Sequence, residues 1–341
     1  MIQNALQRLL DGRDLGRDEA REVMAEIMSG DATPAQIGGF LVALRAKGET
    51  AAEIAGCAEA MRAHVLAVRP QRGDLVDTAG TGGDGAHTIN ISTAAALVAA
   101  AAGAAVAKHG NRAVSSACGS ADVLEALGFT LEQEPARIAQ SIDELGFGFL
   151  FAPSHHPAMR HAAPVRKELA TRTVFNLLGP LTNPAGARAQ VVGVYSQQLV
   201  RTIADVLAQL GARHAFVVHG AGAIDELSPV GPNLVAEVVD GSVRERTLDP
   251  EQELGLPRCT VEELRGGAPA ENAAAVRAVF DGADGGRRNA ILLNAAGAIA
   301  AAGHAEDLRE GLELARETVD SGAAAHRLEQ LVAFSREAVT T

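Results

Sequence analysis

Apolar positions along residues 1–68 recur at helical spacing, which predicts that this part of the chain contains helices only. Two threonines mark helix starts. Thr33 precedes Pro34, which suits a first helical position, and Thr50 precedes Glu53 with the spacing of a capping box. The clearest helical run follows at Ile54, Cys57, Met61 and Val65. The segment RPQRG ends this pattern, and we interpret it as a domain boundary.

From Leu75 onward, short apolar runs alternate with helical patterns, which predicts a largely parallel sheet covered by helices. Residues 235–247 predict a hairpin that turns at Asp240-Gly241, so we expect a mixed sheet. The last third is alanine-rich and predicts helices. The expected strands are 104–107, 148–152, 190–195 and 215–218, and the expected helix breaks are Gly303, Gly311 and Gly322.

The segment NLLGPLTNP at 176–184 is too loop-like to predict a helix and too apolar to predict a linker. We expect the chain to pass back between two domains there. The predicted fold class is therefore α/β: a small all-helical domain and a large α/β domain whose mostly parallel central sheet is flanked by helices.

Composition narrows the possible functions. Apolar residues make up 47% of the 341 residues, which excludes a disordered chain, and a formal charge of −12 argues against a broad nucleic-acid-binding surface. Three scattered cysteines fit a reducing compartment, and the N-terminus does not resemble a signal peptide. The uncharged run between Asp84 and Lys108 has too few large apolar residues to span a membrane. We expect a soluble, cytoplasmic protein that binds neither membrane nor nucleic acid.

The strongest chemical signal is the glycine loop DTAGTGGDG at 77–85, which follows an extended run and precedes a helix expected to open near Ser92 or Thr93. Glycines let backbone N–H groups converge on an anion, and a helix N-terminus favours negative charge. Asn90, Ser92 and Thr93 add side-chain donors there. The spacing matches neither a Walker A loop nor a dinucleotide fingerprint. A tight structural turn is the alternative interpretation.

Two further polar segments follow predicted strands. Lys108 would emerge at the carboxyl end of one strand, and Gly119-Ser120 precedes another helix, so a ligand with several anionic groups would fit between them. Asp225-Glu226 follows a second strand and a glycine loop, where adjacent carboxylates suit Mg²⁺. Each feature also has a structural interpretation: a solvated lysine, a capping serine and an exposed acidic turn.

The histidines at 155, 156 and 161 lack the spacing of a helical zinc pair, so we expect no metal there. Arg166 would suit a carboxylate through two parallel hydrogen bonds, although the residues alone favour a charge on the surface of a helix. No nucleophile motif stands out. The residues alone indicate an α/β enzyme whose strand ends bind a Mg²⁺-complexed phosphate ester.

Four segments in one order resemble the anthranilate phosphoribosyltransferases of tryptophan biosynthesis. They are DTAGTGGDGAHTINISTAAA, KHGNRAVSSACGSADVLEALG, FAPSHHPAMRHAAPVRKELATRTVFNLLGPLTNP and GAIDELSP, and together they extend over about residues 75–230. A lone glycine loop would be weak evidence, whereas four ordered segments are specific.

The resemblance implies Mg²⁺-dependent transfer of the phosphoribosyl group from phosphoribosyl pyrophosphate to the amine of anthranilate, with no covalent intermediate. The products are N-(5-phosphoribosyl)anthranilate and pyrophosphate. It also implies a homodimer and two Mg²⁺ ions. The helical domain would comprise residues 1–70 with a returning segment at about 165–185, and the α/β domain residues 71–164 and 186–341.

The resemblance also implies the site, with no residue acting as nucleophile or base. The donor would be held by Gly80, Thr81, Gly82, Gly83, Asp84, Thr88, Asn90, Ser92, Thr93, Lys108 and Ser120. Anthranilate would meet Gly80, His109, Asn111 and Arg166, with Gly179-Pro180 as a pocket wall. The metal site would comprise Ser92, Asp225 and Glu226.

Two alternatives stay open. A pyrimidine nucleoside phosphorylase would share the two-domain plan, but Asn111-Arg112 and the acidic pair favour the transferase. A non-catalytic relative that binds nucleic acid would need a basic groove, which the net charge of −12 disfavours.

Overall fold

A computed structural model describes residues 1–113 and 117–337; Ser115 and Ser116 of the second polar segment lie outside them. The chain begins with four helices: α1 (Ile2–Leu10), α2 (Arg17–Ser29), α3 (Pro34–Lys47) and α4 (Ala51–Ala63). Both predicted caps are confirmed. The Thr33 hydroxyl accepts from the N–H of Gln36, and the Thr50 hydroxyl accepts from the N–H of Glu53, each at 3.3 Å.

A seven-stranded sheet follows in the order β3-β2-β1-β4-β5-β6-β7. Neighbours from β3 to β5 pair in parallel, and β6 and β7 form the predicted antiparallel hairpin. The mixed, mostly parallel sheet is therefore confirmed. Its strands are β1 (Leu75–Asp77), β2 (Ala105–Gly110), β3 (Phe147–Phe151), β4 (Ala189–Gly193), β5 (His214–His219), β6 (Asn233–Val239) and β7 (Ser242–Leu248).

Helices cover both faces of the sheet. They are α5 (Ile91–Ala101), α6 (Ser120–Leu127), α7 (Pro135–Leu145), α8 (Ala152–His155), α9 (Ala163–Leu169), α10 (Phe175–Leu178), α11 (Gln198–Gln209), α12 (Pro250–Leu254), α13 (Val261–Leu264), α14 (Pro269–Phe280), α15 (Gly286–Ala302), α16 (Leu308–Asp320) and α17 (Ala323–Arg336). Successive strand residues alternate between the faces. Val191 packs with α5 and α15, whereas Val192 belongs to the core formed by α1–α4 and α11.

The returning segment shares the core of the N-terminal helices, because α9 and α10 bury residues such as Val165 and Leu178 among those of α1–α4. Within the described ranges, no helix combines the length and apolar character needed to cross a membrane.

Two local predictions are wrong. The segment at 176–184 is not all loop, because α10 enters it and a 3₁₀ turn follows at Gly179–Leu181; burial of Leu177, Leu178 and Leu181 outweighs its turn-like composition. Gly311 lies inside α16 rather than between helices. A Cβ there would lie 2.6 Å from the carbonyl oxygen of Ala296, so the glycine permits close packing on α15.

Candidate active site

A cleft of about 310 Å³ opens at the carboxyl ends of the central strands. Segments that follow β1, β2, β3 and β5 all contribute to it, as expected where parallel strands end at one edge of a sheet. It is lined by Ala79, Gly80, Gly82, Gly83, Asp84, His87, Thr88, Ile89, Asn90, Ser92, Thr93, Lys108, His109, Gly110, Asn111, Cys118, Gly119, Ser120, Ala152, Gly179, Pro180, Asp225 and Glu226. The cleft therefore brings together almost every residue proposed from the sequence.

The glycine loop takes a backbone path that other residues rarely follow. Gly82 and Gly83 have φ angles of +67° and +78°, and the N–H of Gly82 donates to Oδ2 of Asp225 at 2.6 Å. Thr81 is not part of the lining; its hydroxyl accepts from the N–H of Tyr195, two residues beyond the end of β4. The loop thus offers backbone donors to the cleft, while the Thr81 side chain secures its base.

Helix α5 directs its first turn at the same cleft. The N–H of Ser92 donates to Oε1 of Glu226 at 3.2 Å. Thr93 is 1% exposed, and its hydroxyl has no hydrogen-bonding partner within residues 1–113 and 117–337. Because a buried hydroxyl without a partner is costly, Thr93 is well suited to a ligand in the cleft.

Asn90 differs from its neighbours because its amide already binds protein groups. Its Nδ2 donates to the carbonyl of Cys118 at 3.0 Å, and its Oδ1 accepts from Nδ2 of Asn272 at 2.9 Å. Asn90 therefore joins the start of α5 to the approach to α6 and to α14, and retains one N–H for a ligand.

Lys108 is buried at 1% exposure on β2, where its Nζ donates to the carbonyl and hydroxyl oxygens of Thr78, both at 3.1 Å. Burial lowers the pKa of Lys108, whereas Asp77 and Glu226 oppose that effect. Burial also raises the pKa of Asp77 to about 6, although Lys108 stabilises its charged form. The cation is thus fixed beneath the cleft among acidic groups.

The carboxylates of Asp84, Asp225 and Glu226 form an acidic cluster near Lys108. Burial raises the pKa of Asp225 well above its usual range, and the charges of Glu226 and Asp84 raise it further. Burial also raises the pKa of Glu226 to about 7, with Lys108 opposing the shift. The described residues hold no group of three or more His, Cys, Asp or Glu side chains that would bind a metal ion by themselves. The excess of buried carboxylates nevertheless fits a divalent cation that completes its coordination with phosphate oxygens.

The other end of the cleft is formed by His109, Asn111, Ala152 and the Gly179-Pro180 turn. The Ser120 hydroxyl accepts from the N–H of Asn111 at 3.1 Å and donates to its carbonyl at 3.2 Å, which fixes the segment after β2.

Arg166 lies outside the lining. On α9, its guanidinium carbon sits 5.0 Å from the ring centre of Phe175, and no ion pair or side-chain hydrogen bond engages it within the described parts of the chain. Its pKa is lowered by burial. The group is a partly buried, unpaired cation.

Two asparagines that support the site from behind were not predicted from the sequence. Asn272 holds Asn90, and Asn183 donates to Oδ2 of Asp77 and to the carbonyl of Ala107, both at 2.7 Å. Asp77 in turn accepts from the N–H of His109. Asn183 lies in the conspicuous segment NLLGPLTNP, which offered a signal; Asn272 lies in an ordinary helical sequence, which offered none.

Comparisons with known proteins agree with this geometry. A family described as "Glycosyl transferase family, a/b domain" matches residues 72–325, and one described as "Glycosyl transferase family, helical bundle domain" matches residues 3–65. A relative from Anaeromyxobacter dehalogenans, named anthranilate phosphoribosyltransferase, is 56% identical over 333 residues, which cover 98% of each protein. A relative of the same name from Chloroflexus aurantiacus is 54% identical and covers 98% of this chain and 99% of its own.

Solved structures are also similar over the whole chain. Anthranilate phosphoribosyltransferase from Thermus thermophilus has a TM-score of 0.92 and 51% identity, with coverage of 98% of this chain and 99% of its own. The enzyme from Saccharomyces cerevisiae, in complex with PRPP and Mg, has a TM-score of 0.89 and 28% identity, with coverage of 98% and 97%.

Proposed function

The chain belongs to the anthranilate phosphoribosyltransferases, and we propose that its cleft transfers the phosphoribosyl group of phosphoribosyl pyrophosphate to the amine of anthranilate. The resemblance, the fold class and the enzyme class predicted from the sequence are confirmed. The observation that carries the assignment to this cleft is the meeting of a glycine loop, a buried lysine and a carboxylate cluster at one sheet edge.

The donor occupies the glycine-loop side of the cleft. The backbone N–H of Gly83 and the first turn of α5 supply donors for phosphate oxygens, and Lys108 supplies positive charge beneath them. The unpartnered hydroxyl of Thr93 and the hydroxyl of Ser92 face the same volume. The proposed donor-binding set is completed by Gly80, Asp84, Thr88, Asn90 and Ser120. Thr81 contributes indirectly, because its hydroxyl anchors the base of the glycine loop.

Anthranilate occupies the side lined by His109, Asn111 and the Gly179-Pro180 turn. Its carboxylate pairs with Arg166, the unpaired guanidinium of the neighbouring helix α9. Because Arg166 lies outside the lining of the cleft, this pairing requires α9 to approach the donor side, which would also exclude water.

The reaction joins the anthranilate nitrogen to the anomeric carbon of ribose and breaks the bond from that carbon to pyrophosphate. The neutral aniline attacks without a base and loses a proton afterwards, so the chain has to supply position and charge rather than a nucleophile. Lys108 and the loop donors stabilise the negative charge that develops on the departing pyrophosphate.

Mg²⁺ is the cation that the carboxylate cluster fits, and a structure of a relative is titled as a complex with PRPP and Mg. When bound, it neutralises charge on the pyrophosphate. Asp225, Glu226 and Ser92 would hold it, and two ions would share the cluster with the donor phosphates.

A homodimer is proposed to form through the helical part, whose boundaries we place at residues 1–70 and about 165–185 of the chain. Several large apolar side chains are exposed there, including Leu10 at 67%, Val42 at 46% and Leu66 at 49%. Light scattering of the purified protein tests the dimer.

The scattered cysteines support a cytoplasmic location.

The decisive experiment is incubation of the protein with phosphoribosyl pyrophosphate, anthranilate and Mg²⁺. We expect anthranilate fluorescence to disappear and pyrophosphate to accumulate in equal amount. Phosphorolysis of thymidine in place of this reaction would establish a nucleoside phosphorylase and refute the proposal. Salt-dependent retention of DNA without turnover would establish the nucleic-acid-binding alternative.

A further inference from the structure

Two buried histidines form a short chain behind the acceptor side of the cleft. The Nε2 atoms of His109 and His156 lie 3.2 Å apart, and Nδ1 of His109 lies 3.0 Å from the carbonyl oxygen of Gly179. His109 is 5% exposed and His156 is 8% exposed. Three segments therefore meet here: strand β2, the turn after α8 and the Gly179–Leu181 turn.

The direction of both hydrogen bonds follows from their chemistry. The carbonyl of Gly179 can only accept, so Nδ1 of His109 carries a hydrogen. A neutral His109 then has a lone pair on Nε2, and His156 must donate to it from its own Nε2.

The surroundings favour the neutral ring over the imidazolium. Burial lowers the pKa of His109 to about 3, and nearby His156, His155 and Lys108 act in the same direction. Asp77 accepts from the backbone N–H of His109 rather than from its ring. Burial likewise lowers the pKa of His156 to about 4.

With both nitrogens engaged, His109 can offer the cleft only its ring face and C–H edge. The chain has no Trp and a single Tyr, so few large aromatic side chains are available to contact a flat ligand. An imidazole whose polar atoms are both engaged supplies such a flat apolar surface. A ring nitrogen turned toward the cleft would instead compete with Arg166 for a carboxylate.

We propose that His156 is a positioning residue that donates to His109 and holds its ring as an apolar wall for the aromatic ring of the acceptor. This inference rests on the proposed function, since it assigns the wall to anthranilate. His156 lies outside the lining of the cleft and acts through His109.

The test compares His156→Leu with His156→Gln in the full-length enzyme. Leucine fills the space without a donor, whereas glutamine restores an N–H near the position of Nε2. We expect the leucine variant to raise the KM for anthranilate about five- to tenfold, the scale of one buried hydrogen bond. Its kcat and donor KM should change less than about twofold, and glutamine should restore the anthranilate KM.

Nitrogen-15 NMR of the imidazoles supplies a readout independent of turnover. At pH 7 we expect His109 protonated at Nδ1 and unprotonated at Nε2, with that pattern lost in His156→Leu. His155→Gln is the matched control, because this neighbouring buried histidine bonds the carbonyl of Leu66 and should leave both readouts unchanged.

The inference is overturned if wild-type His109 is protonated at Nε2, or if the leucine and glutamine variants bind anthranilate equally well. An inactive wild-type enzyme would refute the proposed function and with it the acceptor wall. An active wild-type enzyme that is indifferent to His156 refutes the inference alone.

Discussion

Replacing Glu226 with glutamine should stabilise the metal-free protein while weakening its response to Mg²⁺. Glu226 is a buried member of the acidic cluster. It follows Asp225 in the chain and lies near the positive charge of Lys108. Glutamine preserves the shape of the side chain and can still accept from the N–H of Ser92. The substitution therefore removes a buried negative charge without removing its neighbours.

The magnitude follows from the pKa of Glu226, which burial raises from 4.5 to about 7. In the unfolded chain the Glu226 carboxyl loses its proton near pH 4.5, whereas in the folded chain it keeps the proton until about pH 7. Stability therefore falls as the pH rises through that window, and above it the ionised group costs the fold about 3 kcal/mol. Glutamine carries no charge and avoids that cost. No separate correction for the attraction between Glu226 and Lys108 is needed, because the raised pKa already includes it.

Urea unfolding measures this effect. With EDTA at pH 8, Glu226→Gln should exceed the wild type by about 3 kcal/mol in free energy of unfolding, and at pH 4 the difference should vanish. Mg²⁺ with phosphoribosyl pyrophosphate should stabilise the wild type more than the variant. Glu22→Gln, at an exposed position on α2, is the control and should change nothing. A variant less stable than the wild type at pH 8, or an equal gap at pH 4, would show that the ionised Glu226 does not destabilise the fold.

Three other substitutions test separate parts of the site. Arg166→Ala should raise the KM for anthranilate more than tenfold at unchanged donor KM, measured by steady-state kinetics. Asn183→Ala should lower the free energy of unfolding by about 2–4 kcal/mol in urea, because it strips two buried acceptors of their donor. Gly193→Ala should abolish Mg²⁺-activated turnover, since its Cβ would lie 1.5 Å from the Asp225 carbonyl oxygen, whereas Gly73→Ala should be tolerated. An unchanged anthranilate KM in Arg166→Ala, an unchanged free energy of unfolding in Asn183→Ala, or full turnover in Gly193→Ala would contradict the corresponding contact.

Local sequence was sufficient for features that depend on a few adjacent residues. The caps at Thr33 and Thr50 and the hairpin at Asp240-Gly241 were predictable because their hydrogen bonds close within the same short segment. The 176–184 segment and Gly311 were misjudged for the opposite reason. Burial against distant helices decided their conformation, and composition alone carries no record of that packing.

The site shows the same division. The chemical groups at the strand ends were predictable from the order of residues along the chain: a glycine loop, Lys108 and the acidic pair. Which of these groups touch depends on the folded arrangement: Gly82 donates to Asp225 across the sheet edge, and Asn272 on α14 donates to Asn90. The same packing placed Arg166 outside the cleft lining. Contacts between residues far apart in the chain arise when helices and strands bury their apolar faces together, and that arrangement is a property of the whole fold.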